Sequence, residues 1–162
     1  MVESKAELPL VQKLLDRIVQ SPHPLVVLQT PHVAETLAQM RVLAMRGGTS
    51  IYAWEPDSGL ASLRESGLHV PGSKRMTDAL RYVLQSMHFG IYLFIGFEDH
   101  LKPPDTVLLR RISRIHTGNE RKIVFLGASL SVPEEIEGAV QRLNPDSEVR
   151  VPPRLRDGRW VQ

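Results

Sequence analysis

Cysteine is absent from the 162 residues, which rules out a disulfide, a thiolate zinc centre and a cysteine nucleophile built from this chain. Long apolar runs are missing too: no window approaches the ~20 residues that a membrane span needs. The N-terminus "MVESKAELPL" carries neither the basic segment nor the apolar stretch of a signal peptide. A cytoplasmic protein without membrane attachment is the expectation. Neither sign of charge is in excess, because 20 Lys and Arg stand against 18 Asp and Glu, so the overall field does not demand an anionic partner. Aromatic residues make up only 6% and do not interleave with the basic ones, which removes the usual platform for stacking bases.

What is present is ordinary for a folded globule, 42% apolar and 23% charged, in a chain long enough for one domain with a core of its own. Leu8, Val11, Leu15 and Ile18 recur at helical spacing behind a Ser4–Glu7 capping box, and Pro22 and Pro24 end that helix. "LVVLQ" over 25–29 suits a buried strand. Thr30 and Pro31 read as the N-cap and first-turn proline of a helix carrying Val33, Leu37, Met40 and Ala44, closed by Gly47-Gly48. A strand over "TSIYAW" (49–54), a turn-rich segment through Pro56, Gly59, Gly67, Pro71 and Gly72, and a helix with Met76, Leu80, Val83, Leu84 and Met87 follow. Then come the strand of "IYLFIGFEDHL" (91–101), a helix with Leu108, Ile112 and Ile115 stopping near Gly118, and a strand "RKIVFLG" (121–127). Ser131 and Pro133 open a last helix with Ile136, Ala139, Val140 and Leu143, before a final strand "SEVRV" (147–151). Strands alternating with helices predict an α/β three-layer sandwich around a parallel five-stranded sheet, as one domain over 1–151, with 152–162 as an extended basic tail.

In such sheets ligands bind beyond the carboxyl ends of the strands. Those ends carry Thr30, Pro31 and His32, then Glu55, Pro56 and Asp57, then Glu98, Asp99 and His100, and last Ser129 and Ser131. A buried strand ending in adjacent carboxylates is one way ATPases hold magnesium and activate water, so the β-to-helix junction after the first strand is decisive. A phosphate loop there reads G-x-x-x-x-G-K-[ST] and offers backbone N–H groups and a lysine to the phosphates. "VVLQTPHVAETLAQM" has no glycine and no lysine, and Pro31 removes an N–H where donors are needed.

The order strand, helix, strand, helix, "IYLFIGFEDHL", helix, "KIVFLGASLSVPEEIEGAV", together with "HPLVVLQTPHVAETLAQMRVLA", resembles the degenerate N-terminal module of the AAA-type ATPases encoded by a conserved chloroplast reading frame and its cyanobacterial and bacterial relatives. The similarity runs from about Pro24 to Val151, and "GASLSVPEEIEG" is its most specific piece. The resemblance implies a P-loop NTPase-like, AAA-like core without its own phosphate loop and without the lid domain. In that family an active ATPase module follows, and the sequence here stops before one, so the activity does not carry over. By position, Glu98 and Asp99 stand where the magnesium and water-activating acids would be, Ser129 stands at a sensor position, and Arg142 stands near an arginine finger. Without the loop's lysine and hydroxyl, a magnesium–nucleotide complex loses most of its contacts.

Each candidate has a plainer reading. Glu98, Asp99, His100 and His32 offer oxygen and imidazole ligands for a divalent metal, yet adjacent residues point apart, and Asp99 as a cap for the following turn is the simpler reading. Arg110, Arg111 and Arg114, with Arg121 and Lys122 nearby, form the densest basic patch, but Leu108, Ile112 and Ile115 put those helix arginines on the solvent side, where charge belongs anyway. Arg154, Arg156, Arg159 and Trp160 are either a docking tail or a segment folded back on the domain. The six histidines are scattered with no nucleophile motif beside them. The expectation is therefore a non-catalytic, degenerate ATPase-like domain of regulatory or protein-interaction role, needing no cofactor and no metal, that binds a protein partner or itself. The alternative is a small-ligand site (phosphate, nucleotide or divalent metal) or a phosphoester enzyme in the crevice of Thr30, His32, Glu98, Asp99 and Ser129. Nucleic-acid binding through the arginine-rich helix and tail ranks third.

Overall fold

The structure is a computed structural model and describes residues 2–115 and 121–143. The expected strand at 147–151, the stop at Gly118 and the tail with Arg154, Arg156, Arg159 and Trp160 lie outside the described residues. Helices are α1 (Val2–Gln20), α2 (Val33–Gly47), α3 (Met76–Gln85), α4 (Pro103–Ser113) and α5 (Glu134–Glu137). Strands are β1 (Leu25–Gln29), β2 (Ile51–Glu55), β3 (Gly59–Ser62), β4 (Gly90–Ile95), β5 (Arg121–Gly127) and β6 (Val140–Leu143). They form one six-stranded sheet in the order β3-β2-β4-β5-β1-β6. All neighbours are parallel except β2 and β3, which are antiparallel.

The central strands are apolar along their whole length because both faces are covered. In β1, Leu25 and Val27 join a core under α3 and α4 that includes Trp54, Leu80, Val83, Phe94, Phe97, Leu109 and Phe125. Val26 and Leu28, pointing the other way, join Leu14, Ile18, Met40 and Ala44 of α1 and α2. The two stripes confirm three layers.

Two expectations need correction. The sheet has six strands rather than five, because part of the turn-rich segment folds back as β3: Pro56, Asp57 and Ser58 make a short hairpin loop, and Gly59 takes φ +73° directly opposite Glu55. The expected last helix to Leu143 is cut to one turn. Gly138 follows Glu137, and Val140–Leu143 then pairs in parallel with Leu25–Leu28 as β6. A four-residue strand beside β1 satisfies backbone groups that a longer helix would have left off the sheet edge. At the start of the chain, α1 begins at Val2, so Ser4 and Glu7 fall within the helix span and not at its start.

At the N-terminal end of the sheet, Tyr52 stacks on Tyr92 with centroids 5.3 Å apart, and Tyr82 meets Tyr92 edge-on at 6.3 Å. Burial pushes the Tyr92 phenol above its ordinary value near 10, with Tyr82 and Tyr52 adding to the rise and Ser86 and Arg121 opposing it. The folded state thus holds the phenolic proton more tightly than the unfolded chain. Its contribution is complete below pH 10 and is lost as pH climbs through the raised value. Alkaline melts should show stability falling above pH ~10, and Tyr92→Phe should flatten that decline while changing the neutral-pH melt little.

Candidate functional site at the strand-end rim

The chain leaves β1, crosses two strands by way of α2 to reach β2, and returns through β4 and β5 to the side of β1. The direction of progress reverses at β1, so the rim beyond β1 and β5 is where an open α/β sheet would offer a crevice.

The structure fills this position. Only Thr30, Pro31 and His32 separate β1 from α2. Thr30 is 3% exposed, and its N–H donates to the Gly127 carbonyl at 2.9 Å. Its hydroxyl accepts the His32 N–H at 3.1 Å. Pro31 has no N–H to give, so the backbone donors of the junction are absent or spent. Thr30 is therefore not the helix cap that its sequence position suggested. His32 occupies the cap position without a side-chain cap bond, and its Nδ1 lies 3.4 Å from Glu35, both side chains being half-exposed.

The loop after β5 closes the same place from the other side. Leu130 is 8% exposed and lies over the end of β5, so close that a Cβ on Gly127 would stand 2.5 Å from its Cδ2. Its N–H donates to the Gln29 side-chain carbonyl at 3.3 Å, which joins that loop to the end of β1. Neither Leu130 nor Gln29 was singled out from the sequence. An apolar residue in a Ser-rich loop carries no motif, and its role follows only from where β5 ends.

Glu98 and Asp99 lie elsewhere. Gly96 turns at φ +68°, Phe97 drops into the core, and Glu98 to His100 form an exposed turn closed by the His100 N–H to the Phe97 carbonyl at 2.8 Å. β4 and β1 are separated by β5, so strand spacing alone puts their ends roughly 10 Å apart. Thr30 and His32 thus lie beyond the end of β1, Glu98 and Asp99 beyond the end of β4, and the loop carrying Ser129 follows β5 between them. Glu98 borders a shallow groove of about 250 Å³ with Phe97, Leu101, Ser131, Val132 and Pro133. The groove continues past Leu101 and Pro133 into a second hollow of about 400 Å³ bounded by Lys102, Thr106, Val107, Arg110 and Glu135. Ser129 is exposed on the neighbouring loop. His100 sits edge-on to Trp54 at 5.9 Å, and no group of three or more His, Asp or Glu among the described residues is placed to hold a metal.

Lys102 occupies the N-cap position of α4, and its N–H is taken by Asp105 at 2.9 Å. Arg110, Arg111 and Arg114 are exposed, as the burial of Leu108 and Ile112 requires. Lys122, grouped with them by sequence, is instead 1% exposed in β5, and its Nζ donates to the backbone carbonyl of Ser21. Arg121 donates to the Ser86 carbonyl. Arg142 lies on β6 and not on a helix, and it pairs with Glu137 at 3.1 Å.

Comparison with known proteins agrees with this architecture. The model of the SpoVK-like AAA ATPase N-terminal domain family matches residues 11–144. Among solved structures, a chain of Drosophila ORC bound to DNA superposes with a TM-score of 0.51 at 13% identity, over 88% of this chain and 30% of that one. A chain from Drosophila ORC bound to poly(dA/dT) DNA and Cdc6 gives 0.50 at 12% identity, over 92% and 31%. At such identities the likeness shows the fold alone, and the present chain spans under a third of the length of either. No curated protein matches the sequence. The family match extends from α1 to just past β6, so the chain belongs to the SpoVK-like AAA ATPase N-terminal domain family.

Proposed function

We propose that this is a non-catalytic, degenerate AAA-type domain, one that keeps an ATPase-like core without nucleotide chemistry of its own and acts by binding a partner protein or a second copy of itself. The observation that carries the reading is the sealed β1–α2 junction. Thr30 is buried, its N–H and hydroxyl are both engaged within the protein, Pro31 supplies no donor, and Leu130 covers the end of the neighbouring strand. A triphosphate held there would meet no lysine and no free donor from Thr30, Pro31 or His32. On this reading Glu98 and Asp99 are a relic turn, the chain resembles the chloroplast-type N-terminal modules that precede an active ATPase module, and it works in the cytoplasm.

The groove beside Glu98 favours a second reading, a small ligand seated between the β4–α4 and β5–α5 loops. Its single carboxylate disfavours phosphate and suits a cationic or neutral molecule. One calorimetric and thermal-shift series tests both readings. Magnesium-ATP, inorganic phosphate and magnesium alone at about 1 mM should leave the melting temperature unchanged, whereas binding at 100 times below that concentration would add about 2.7 kcal/mol. Magnesium-dependent ATP turnover that disappears in Glu98→Gln would overturn the proposal. Saturable binding of magnesium that Glu98→Gln abolishes would transfer support to the groove.

A further inference from the structure

The outer faces of α3 and α4 are mainly charged or polar, with one large apolar residue exposed on each, Tyr82 at 38% and Val107 at 57%, beside Arg81, Gln85, Arg110 and Arg111. α2 buries Thr36, Met40 and Ala44 towards the sheet and exposes Ala34, Ala38, Val42 and Met45 on the opposite side. At about 100° per residue these four fall within an arc of about 80°. Met45 is 59% exposed and Val42 36%. A helix with apolar residues on both sides needs a second surface to cover it, and among the described residues this chain covers only one.

We propose that α2 packs antiparallel against α2 of a second copy of this chain, about a two-fold axis that passes close to residue 40. This rests on the self-association branch of the function proposed above and gives it a surface. Three features single out a second copy. The first is shape. Ala34 and Ala38 occupy one half of the stripe and Val42 and Met45 the other, so reversing one helix against its twin sets small residues opposite large ones and lets the axes approach to the short end of the usual ~8–10 Å.

The second is charge. Glu35 and Arg46 lie on the same flank of the stripe, at opposite ends of the helix. A two-fold axis perpendicular to the helices keeps that flank on its own side while exchanging the ends, so Glu35 of each copy meets Arg46 of the other. Parallel pairing about an axis along the helices would instead move that flank to the far side of the partner and leave Glu35 and Arg46 without this exchange. The contact of Glu35 with His32 is half-exposed at 3.4 Å and leaves the carboxylate accessible. Antiparallel helix dipoles favour the same arrangement. One charge opposes it, because Arg41 lies on the other flank near the axis and meets its own copy.

The third is extent. The stripe of α2 is about 18 Å long. Such an interface is at the small end of specific contacts, which suits a dissociation constant of roughly 10–100 µM.

Sedimentation velocity on the full chain from about 5 to 500 µM tests this. The wild type should pass from monomer to dimer, and Ala38→Arg, an exposed site, should remain monomeric with an unchanged melt. Glu35→Lys and Arg46→Glu should each weaken the dimer several-fold, the double swap should restore it, and Arg41→Ala should tighten it. A wild type that stays monomeric throughout overturns the proposal. So does a dimer indifferent to Ala38→Arg, which would leave self-association standing on another surface, and so does a double swap without rescue. None of these readouts depends on ATP turnover, so failure here and failure of the non-catalytic reading are separable.

Discussion

Asp105→Ala is expected to lower the stability of the domain by about 3 kcal/mol, read as an earlier urea midpoint at unchanged slope. Asp105 is fully buried. Its carboxylate accepts the Lys102 N–H at 2.9 Å and also the hydroxyl of Thr77, the second residue of α3. One side chain thus caps α4 and ties the first turn of α3 to the first turn of α4. Truncation leaves the half-buried Thr77 hydroxyl and the Lys102 N–H without their acceptor; a lost cap costs about 1 kcal/mol and the second lost acceptor about 1–2 kcal/mol more. Asp105→Asn retains one carbonyl acceptor of the same shape and should recover about half of the loss. Because Lys102, Pro103 and Thr106 of that first turn border the groove, Asp105→Ala should also loosen the rim beside Glu98.

Gly59→Ala should cost a similar amount, on the order of 3 kcal/mol, and the measurement is again chemical denaturation. Gly59 sits at φ +73°, and an added Cβ would stand 2.8 Å from the Ser73 Oγ and 2.9 Å from the Ser73 carbonyl carbon. Backbone cannot yield as a flexible side chain can. The same serine is a hub: its Oγ accepts the Leu60 N–H at 2.9 Å, its hydroxyl donates to the Val70 carbonyl at 2.6 Å, and its carbonyl accepts the Trp54 indole N–H at 2.8 Å. Displacing Ser73 would unseat the fully buried Trp54 along with the hairpin. Gly127→Ala, where the nearest atoms belong to the movable Leu130 side chain, should be milder.

The layers were legible where a segment's environment was uniform along its length. "LVVLQ", "IYLFI" and "KIVFL" are apolar on both faces because helices cover both, and the arginines of α4 are exposed because their neighbours at helical spacing are buried. Legibility failed where a partner distant in sequence decided the outcome. Val140–Leu143 has apolar residues that suit a helix turn as well as a strand, and the open side of β1 settles the choice. "GLAS" is too short and too small to announce itself, and β3 exists because Gly59 turns the chain back onto β2. Lys122 reads as surface charge beside Arg121 but is held in the interior by the carbonyl of Ser21, a hundred and one residues away.

The sequence by itself determined the alternation of strands and helices, the absence of cysteine chemistry, and the want of a glycine or lysine at the one junction where phosphates would be held. Those are properties of local pattern and of atoms that are simply not there. Tertiary structure decided that Thr30 and Leu130 are buried at the ends of β1 and β5, that Glu98 borders a groove with Ser131 and Pro133, and that Asp105 takes the Lys102 N–H at the start of α4. It also left the outer stripe of α2 apolar and uncovered among the described residues. Strand order does not follow sequence order: β5 is inserted between β4 and β1, so which strand ends are neighbours is decided by long-range pairing and not by position along the chain.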